Sequence, residues 1–142
     1  MTIQSILRNK STVISVRPDN TVAETVQVLA EHRIGAVLVM DGPELVGVFS
    51  ERDIVRAMSR QPSGVRALAV STLMTPAHAT VPLSATIVEA MQMMTERRVR
   101  HLPVIEGGRV VGVISIGDVV KARLDRQASE VESMKAYVTG IA

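Results

Sequence analysis

Apolar and polar positions along the chain follow two patterns, one typical of amphipathic helices and one typical of short buried strands. Val22, Val26 and Leu29 recur at i, i+4 and i+7 behind Thr21-x-x-Glu24. This spacing places the three apolar side chains on one helix face, and Thr-x-x-Glu is the capping-box signature of a helix start. We therefore predict a helix that begins after Thr21 and buries these three residues.

Short apolar runs surround this helix and predict strands. Val13–Val16 precedes it, and Ala36–Met40 and Leu45–Phe49 follow it on either side of the turn Asp41-Gly42. Runs of this length that flank a Gly-containing turn are typical of a hairpin. A second helix with apolar residues at 54, 55 and 58 comes next, so the predicted order of elements is β-α-β-β-α.

The same order occurs twice in the chain. Pairing each residue n with residue n+65 aligns 13–58 with 78–123 without a gap, and fifteen of the 46 pairs are identical. The stretch LVGVFSERDIVRA (45–57) matches VVGVISIGDVVKA (110–122). A fixed period of this kind indicates a duplicated structural unit. The second unit contains the strand His78–Val81, a helix with Ile87, Met91 and Met94 behind Thr86-x-x-Glu89, the strands Leu102–Ile105 and Val110–Ile114 around Glu106-Gly107-Gly108, and a helix with Val119, Val120 and Leu124.

One unit is too small to cover both faces of its own sheet. We predict that the two copies pack sheet to sheet about a pseudo-twofold axis, which gives an α/β (α+β) fold. The predicted segments are a leading helix in 1–10, a first repeat in 11–60, a linker in 61–75, a second repeat in 76–125 and a helical tail in 126–142. The tail has a narrow apolar stripe, Val131, Met134 and Val138, suited to docking on the parent domain or on a second subunit.

Composition narrows the function classes. Hydrophobic residues make up 46% of the chain and aromatic residues only 1%, so the core is aliphatic. Binders of single-stranded nucleic acid stack bases on aromatic side chains, and Phe49 and Tyr137 are the whole supply here. The chain has no cysteine, no apolar run long enough to span a bilayer and no signal-peptide pattern at its N-terminus. We expect a soluble, cytoplasmic protein that does not bind membranes, and the composition disfavours nucleic-acid binding without excluding it.

The duplicated pattern T-V-x-E, then a hydrophobic residue before P-V, then V-G-h-h-S-x-x-D resembles a tandem pair of cystathionine-β-synthase (CBS) domains. The likeness covers roughly residues 5–125, and the layout is similar to small standalone prokaryotic CBS-pair proteins. The resemblance implies a Bateman module: a pseudo-twofold pair with two clefts that take AMP, ADP, ATP, NAD(H) or S-adenosylmethionine. It also implies a regulatory, energy-sensing role, a homodimer and an unidentified protein target.

Ser50 and Asp53, and their counterparts Ser115 and Asp118, stand where a strand turns into a helix. From the residues alone, each pair serves equally well as a helix cap or as a ligand for both ribose hydroxyls beside a helix N-terminus. The resemblance favours ribose binding, and both roles can coexist. It also implies that each cleft combines residues of both copies. The first would join Ser50 and Asp53 to Ala77, His78, Ala79, Val99, Arg100 and His101, and the second would join Ser115 and Asp118 to Thr12, Val13, Ile14, Ile34, Gly35 and Ala36.

The two predicted clefts differ in charge. Arg52, Arg100 and His101 belong to the first cleft, whereas the aligned residues of the second are uncharged. Because guanidinium groups match phosphate oxygens in shape and charge, we expect the first cleft to bind the phosphorylated end of a nucleotide, AMP above all. The second cleft would hold an adenosine-like or weaker ligand, or stay empty. Arg97 and Arg98 are interpreted as a solvated helix end.

No catalytic or metal-binding motif is present. GVISIG (112–117) lacks the spacing of the G-x-S-x-G elbow, and His32, His78 and His101 are scattered without the spacing of metal ligands. We therefore expect no enzyme and no metal. Two function classes remain: a ligand sensor, and a constitutive assembly protein with degenerate clefts. The intact Ser-x-x-Asp pairs favour the sensor, and nucleic-acid binding is a distant third.

Overall fold

The computed structural model describes residues 2–8 and 13–139, and it confirms the mixed α+β class and the repeated order of elements. The elements span α1 Ile3–Leu7, β1 Ser15–Val16, α2 Val22–His32, β2 Ala36–Asp41, β3 Glu44–Ser50, α3 Glu51–Arg60, β4 Thr75–Pro76, β5 Val81–Pro82, α4 Ile87–Arg97, β6 His101–Glu106, β7 Arg109–Ser115 and α5 Ile116–Val138. The first copy contains β1, α2, β2, β3 and α3, and the second contains β5, α4, β6, β7 and α5.

The leading strand of each copy is shorter than the sequence predicted. Of Val13–Val16 only the last two residues form a strand, β1, which runs parallel to β2. Of His78–Val81 only Val81 belongs to a strand, β5, because the chain turns at His78, whose N–H donates to Pro76 O at 2.9 Å. Thr75, the last residue of the predicted linker, and Pro76, the first of the predicted second repeat, form β4, which pairs antiparallel with β3. The first sheet therefore has the order β1-β2-β3-β4, and the second has the order β5-β6-β7.

The buried face of α2 differs from the predicted one, and α4 differs in the same way. The buried residues of α2 are Val22, Thr25 and Leu29, whereas Val26 is 38% exposed; in α4 Ala90 is buried and Met91, the counterpart of Val26, is 37% exposed. The contact face thus follows i, i+3 and i+7 rather than i, i+4 and i+7. The buried Thr25 hydroxyl has a hydrogen-bond partner, since it donates to Thr21 O at 2.8 Å.

The predicted capping box is complete at α2. Thr21 N–H donates to Glu24 Oε1 at 3.0 Å, and Glu24 N–H donates back to Thr21 Oγ1 at 3.1 Å. The bond from the Thr21 backbone, followed by that from its side chain, lowers the pKa of the exposed Glu24 carboxyl below its ordinary value. At α4 the structure shows one half of the box, the bond from Glu89 N–H to Thr86 Oγ1 at 3.1 Å.

Each copy is completed by the segment that precedes the other copy. Ile3 of α1 is fully buried in the core of the second copy, and its N–H donates to Ala85 O at 2.9 Å. Val70, between the repeats, is fully buried in the core of the first copy. Two glycines make room for these segments: a Cβ at Gly47 would lie 2.5 Å from Met74 Sδ, and a Cβ at Gly112 would lie 2.8 Å from Leu7 Cδ2.

The face of each sheet that points away from the core of its own copy is buried as well. Val37, Val39 and Phe49 pack into the core of the first copy, while Leu38 points to the opposite face because side chains alternate along a strand. Leu38 is nevertheless fully buried. Pro103, its counterpart in β6, is buried too. This burial agrees with packing of the two copies through these faces.

The last helix, α5, runs without a break from Ile116 to Val138. From Arg123 to Thr139 every residue is exposed except Ala136, which is half-buried. The stripe Val131, Met134 and Val138 therefore does not dock on the part of the chain that the structure describes. Among residues 2–8 and 13–139, no helix has the length and apolarity needed to cross a membrane.

Candidate nucleotide site

A cleft of about 480 Å³ lies where the N-terminus of α3 faces the second copy. This volume falls within the range of roughly 300–1,000 Å³ typical of small-molecule sites. The nine residues predicted for the first cleft all line it: Ser50, Arg52, Asp53, Ala77, His78, Ala79, Val99, Arg100 and His101. The lining comes from both copies because residues before β5 and β6 meet the turn between β3 and α3.

Asp53 lies at the wall of this first cleft and is only 7% exposed. Its Oδ2 accepts from Ser50 N–H at 2.9 Å and from Ser50 Oγ at 3.2 Å, while Oδ1 accepts from Thr75 Oγ1 at 2.9 Å. The capping interpretation of Asp53 is therefore visible in the structure. Because two carboxylate oxygens offer about four acceptor sites, one remains for a ligand hydroxyl. Sequence analysis missed Thr75, which comes from β4.

The first cleft is lined by more cations than the sequence predicted. Besides Arg52 and Arg100, it is lined by Arg56, Arg97 and Arg98, so five arginines and two carboxylate residues, Glu51 and Asp53, contribute to its lining. Arg97 and Arg98 are exposed at the end of α4, as the sequence predicted, and in addition they line this cleft. The end of α4 turns toward the cleft, and Arg52 Nη1 donates to Arg98 O across the two copies at 3.4 Å.

A second cleft of about 390 Å³ lies at the N-terminus of α5. Every described residue predicted for it is present in its lining: Val13, Ile14, Ile34, Gly35, Ala36, Ser115 and Asp118. The remaining predicted residue, Thr12, lies outside the described residues. Ser115 and Asp118 form both halves of a capping box, with Ser115 N–H donating to Asp118 Oδ2 at 2.8 Å and Asp118 N–H donating to Ser115 Oγ at 3.1 Å.

The predicted separation of charge between the clefts needs a correction. His101 lines both clefts, as does Gly35, and Arg33 adds a guanidinium to the second. The two clefts adjoin because Gly35 has no side chain: a Cβ there would lie 3.6 Å from His101 Nε2 and 3.2 Å from Glu51 Oε1. The first cleft still has the larger cationic excess, because five arginines and two carboxylate residues line it, whereas Arg33, His101 and Asp118 line the second.

Two arginines related by the repeat adopt a left-handed backbone. Arg33, directly after α2, has φ 53°, and Arg98, directly after α4, has φ 54°; these are the non-glycine residues with positive φ in the described part of the chain. Glycine is the usual residue at such helix ends, because a side chain there costs energy. Arg33 lines the second cleft and Arg98 the first. The one feature of the sequence that pointed to these two arginines is that they align with each other in the 65-residue repeat.

The described residues contain no group of three or more His, Asp or Glu side chains placed to hold a metal ion. A search against protein-family models matches the CBS domain twice, over residues 5–60 and 70–125. The chain belongs to the CBS-domain family. Both matches coincide with the two halves that form the clefts.

Known CBS proteins are similar to this chain in sequence and fold. It is 35% identical over 127 residues to the CBS domain-containing protein CBSX3, mitochondrial, of Arabidopsis thaliana, a match that covers 86% of this chain and 62% of that protein. The chain thus spans less than two thirds of that relative. The CBS-domain containing protein ATU1752 from Agrobacterium tumefaciens superimposes with a TM-score of 0.82 at 40% identity, covering 86% of this chain and 92% of that one.

A further CBS structure contains a ligand. The CBS domain protein PAE2072 from Pyrobaculum aerophilum, solved in complex with AMP, superimposes with a TM-score of 0.75 at 27% identity. The match covers 83% of this chain and 89% of that chain. A CBS pair of this fold therefore binds an adenosine ligand in at least one relative.

Proposed function

We propose that this chain is a regulatory CBS pair that binds an adenine nucleotide between its repeats and signals its occupancy to a protein partner. One observation carries the proposal: a single cleft brings the buried carboxylate of Asp53 from one copy together with guanidinium groups of both copies. A ribose and a phosphate are the groups that such a set recognises. The AMP complex of the Pyrobaculum relative supports the same class of ligand.

In the proposed complex the ribose hydroxyls donate to Asp53. The Thr75 hydroxyl either shares the carboxylate with the ribose or rotates away, since Thr75 occupies one acceptor site of Oδ1. Ala77, Ala79 and Val99 offer small apolar surfaces against which an adenine ring can pack. The phosphate lies toward the N-terminus of α3, where orphan amides and the helix dipole favour negative charge.

The excess of guanidinium groups favours phosphorylated ligands in the first cleft. AMP, ADP, ATP and NAD(H) supply phosphate, whereas S-adenosylmethionine carries a positive sulfonium that five arginines would disfavour. We propose AMP as the principal ligand. In the second cleft the smaller cationic excess favours an adenosine-like or weaker ligand, held by Ser115 and Asp118.

The role outside the clefts is also proposed here. We expect a cytoplasmic homodimer that regulates another protein and catalyses no reaction. Apolar residues related by the repeat are exposed on the helices, Val26 and Met91 at 38% and 37% and Val55 and Val120 at 67% and 45%, and a second copy would cover them. The alternative is a constitutive assembly protein whose clefts no longer bind. The capping bonds of Asp53 and Asp118 favour that alternative, because they give both carboxylates a structural role that needs no ligand.

Thermal unfolding with AMP, ADP, ATP, NADH and S-adenosylmethionine separates these functions. A ligand present at 100 times its Kd adds about 2.7 kcal/mol to the free energy of unfolding. For a chain of this length that raises Tm by roughly 5–10 °C. A sensor shifts with at least one of the five ligands, and an assembly protein with degenerate clefts shifts with none. Retention on oligonucleotides with a steep salt dependence would indicate the nucleic-acid function instead.

Two matched variants assign the ligand to a cleft. Asp53→Ala and Asp118→Ala each remove the carboxylate half of a capping box, at a cost of about 0.5–1.5 kcal/mol. Asp53→Ala also removes the acceptor of Thr75, so its basal Tm falls further. We expect Asp53→Ala to abolish the AMP shift and Asp118→Ala to retain most of it. The reverse result would assign AMP to the second cleft.

A further inference from the structure

The exposed end of α5 has the pattern of a coiled-coil seam. Leu124, Val131 and Val138 are separated by seven residues, and Gln127 and Met134 occupy the intervening positions three residues after Leu124 and Val131. Apolar residues that recur every 3.5 residues form the contact line of a two-stranded coil. Leu124, Val131, Met134 and Val138 are 58%, 53%, 65% and 78% exposed. The described part of the chain thus leaves this whole seam without an intramolecular cover.

We propose that this seam pairs with the same seam of a second copy, with the two α5 helices parallel and in register. Most helical stability in proteins comes from packing of an apolar face rather than from the helix alone. Here the helix is nucleated by its first two turns, where Val119 is fully buried in the second core. A partner helix supplies the packing that residues 123–139 lack.

The charges beside the seam select the parallel direction. In a parallel pair, Glu130 of each helix lies next to Lys135 of the other, because the flanking positions interact five residues apart. This gives two attractive contacts per dimer. In the antiparallel arrangement that sets Leu124 against Met134, Glu130 meets its own counterpart and Lys121 meets Lys135, and both contacts repel. Within one helix, Glu130 also pairs with Arg126, at 3.2 Å between Oε1 and Nε.

Gln127 is the polar position of the seam. A polar residue in a coiled-coil core favours one register at a cost in stability. In the parallel pair the two Gln127 side chains face each other and can exchange amide hydrogen bonds. In the antiparallel pair Gln127 would face Val131 and leave its amide without that partner. The proposed pairing concerns α5 alone, so it stands or falls independently of nucleotide binding in the clefts.

Single cysteines test the direction directly, because the chain has none of its own. Under mild oxidation we expect Gln127→Cys to form a disulfide-linked dimer at least tenfold faster than Ser133→Cys, which lies on the outward face of the same helix. Equal rates at both positions, or linkage only when Gln127→Cys is mixed with Val131→Cys, would overturn the parallel pairing. Intact melting curves of the reduced variants verify folding.

Charge exchange tests the occupant of the seam. By sedimentation we expect Glu130→Lys and Lys135→Glu each to weaken dimerisation roughly three- to tenfold, and the double variant to restore it. The Glu130→Lys change also replaces the attraction to Arg126 within the helix by repulsion, and the double variant retains that loss, so recovery reports the contact between chains. A dimer constant unmoved by all three variants, or a chain that stays monomeric, would overturn the proposal and leave the seam to another partner.

Discussion

Replacing Arg98 by glycine should stabilise the chain and weaken nucleotide binding at the same time. A side chain in the left-handed conformation that Arg98 adopts, φ 54°, costs about 1–2 kcal/mol, which glycine would avoid. The extra conformational freedom of glycine in the unfolded chain opposes this gain by about 0.4–1 kcal/mol. The net gain is about 0.5–1 kcal/mol. The entropy of unfolding for a chain of this length is about 0.3 kcal/mol/K, so Tm should rise by about 2–3 °C.

The same substitution removes one guanidinium from the first cleft. A hydrogen bond to a charged group contributes about 1.5–3 kcal/mol, and the exposure of Arg98 places its share at or below the lower end. We therefore expect AMP to bind roughly five- to tenfold more weakly, measured by calorimetry. The hydrogen bond that Arg98 O accepts from Arg52 is unaffected, because it uses the backbone.

Arg33→Gly is the matched control, since Arg33 has the same backbone conformation and lines the other cleft. We expect it to raise Tm by the same amount and to change the AMP constant less than twofold. A lower Tm in both variants would refute the estimate of backbone strain. An equal loss of AMP affinity in both would refute the assignment of the phosphate to the first cleft.

Three further changes probe packing, pH dependence and the seam. Gly47→Ala should lower the free energy of unfolding, measured by urea titration, by about 2–3 kcal/mol, because its Cβ would lie 2.9 Å from the Thr75 backbone carbonyl. Gly112→Ala should lower it by about 1 kcal/mol, because its Cβ would meet only the flexible side chain of Leu7. Equal losses in the two variants would contradict this reasoning. Glu24→Gln should be less stable than the natural chain near neutral pH and equally stable in acid. The lowered pKa of Glu24 stabilises the folded chain at a pH above the ordinary pKa of the carboxyl, and this stabilisation is lost as the pH falls through the pKa of the folded state. A difference in stability that is independent of pH would contradict the role of Glu24 in the capping box. Gln127→Leu should tighten dimerisation, and a weaker dimer would contradict the proposed seam.

The composition of the clefts was predictable because their residues flank elements that the sequence pattern locates well. A Ser-x-x-Asp pair at a strand–helix junction and the residues before a buried strand stay at the same sheet edge once the repeat is recognised. The structure brings these residues together in two clefts, with Thr12 outside its described part. The place of Arg97 and Arg98 in the lining of the first cleft was not predicted, because the sequence does not say which part of the other copy the end of α4 adjoins.

Other features depend on contacts far apart in the chain. Nothing in the periodicity of α2 distinguishes Val26 from Thr25 as the buried residue, since both lie within one wide face and the sheet decides which is covered. The exchange of segments between copies was equally hidden, because α1 and the residues after α3 have apolar positions that suit either core. His101 lines both clefts because it lies beside Gly35, which has no side chain to separate them.

Isothermal titration calorimetry of the unaltered chain with AMP measures most directly whether the clefts between the repeats bind an adenosine ligand. We expect a saturable heat of binding with a major site that disappears in Asp53→Ala and persists in Asp118→Ala. A folded chain that gives no binding heat with AMP, ADP, ATP, NADH or S-adenosylmethionine would contradict the proposed function.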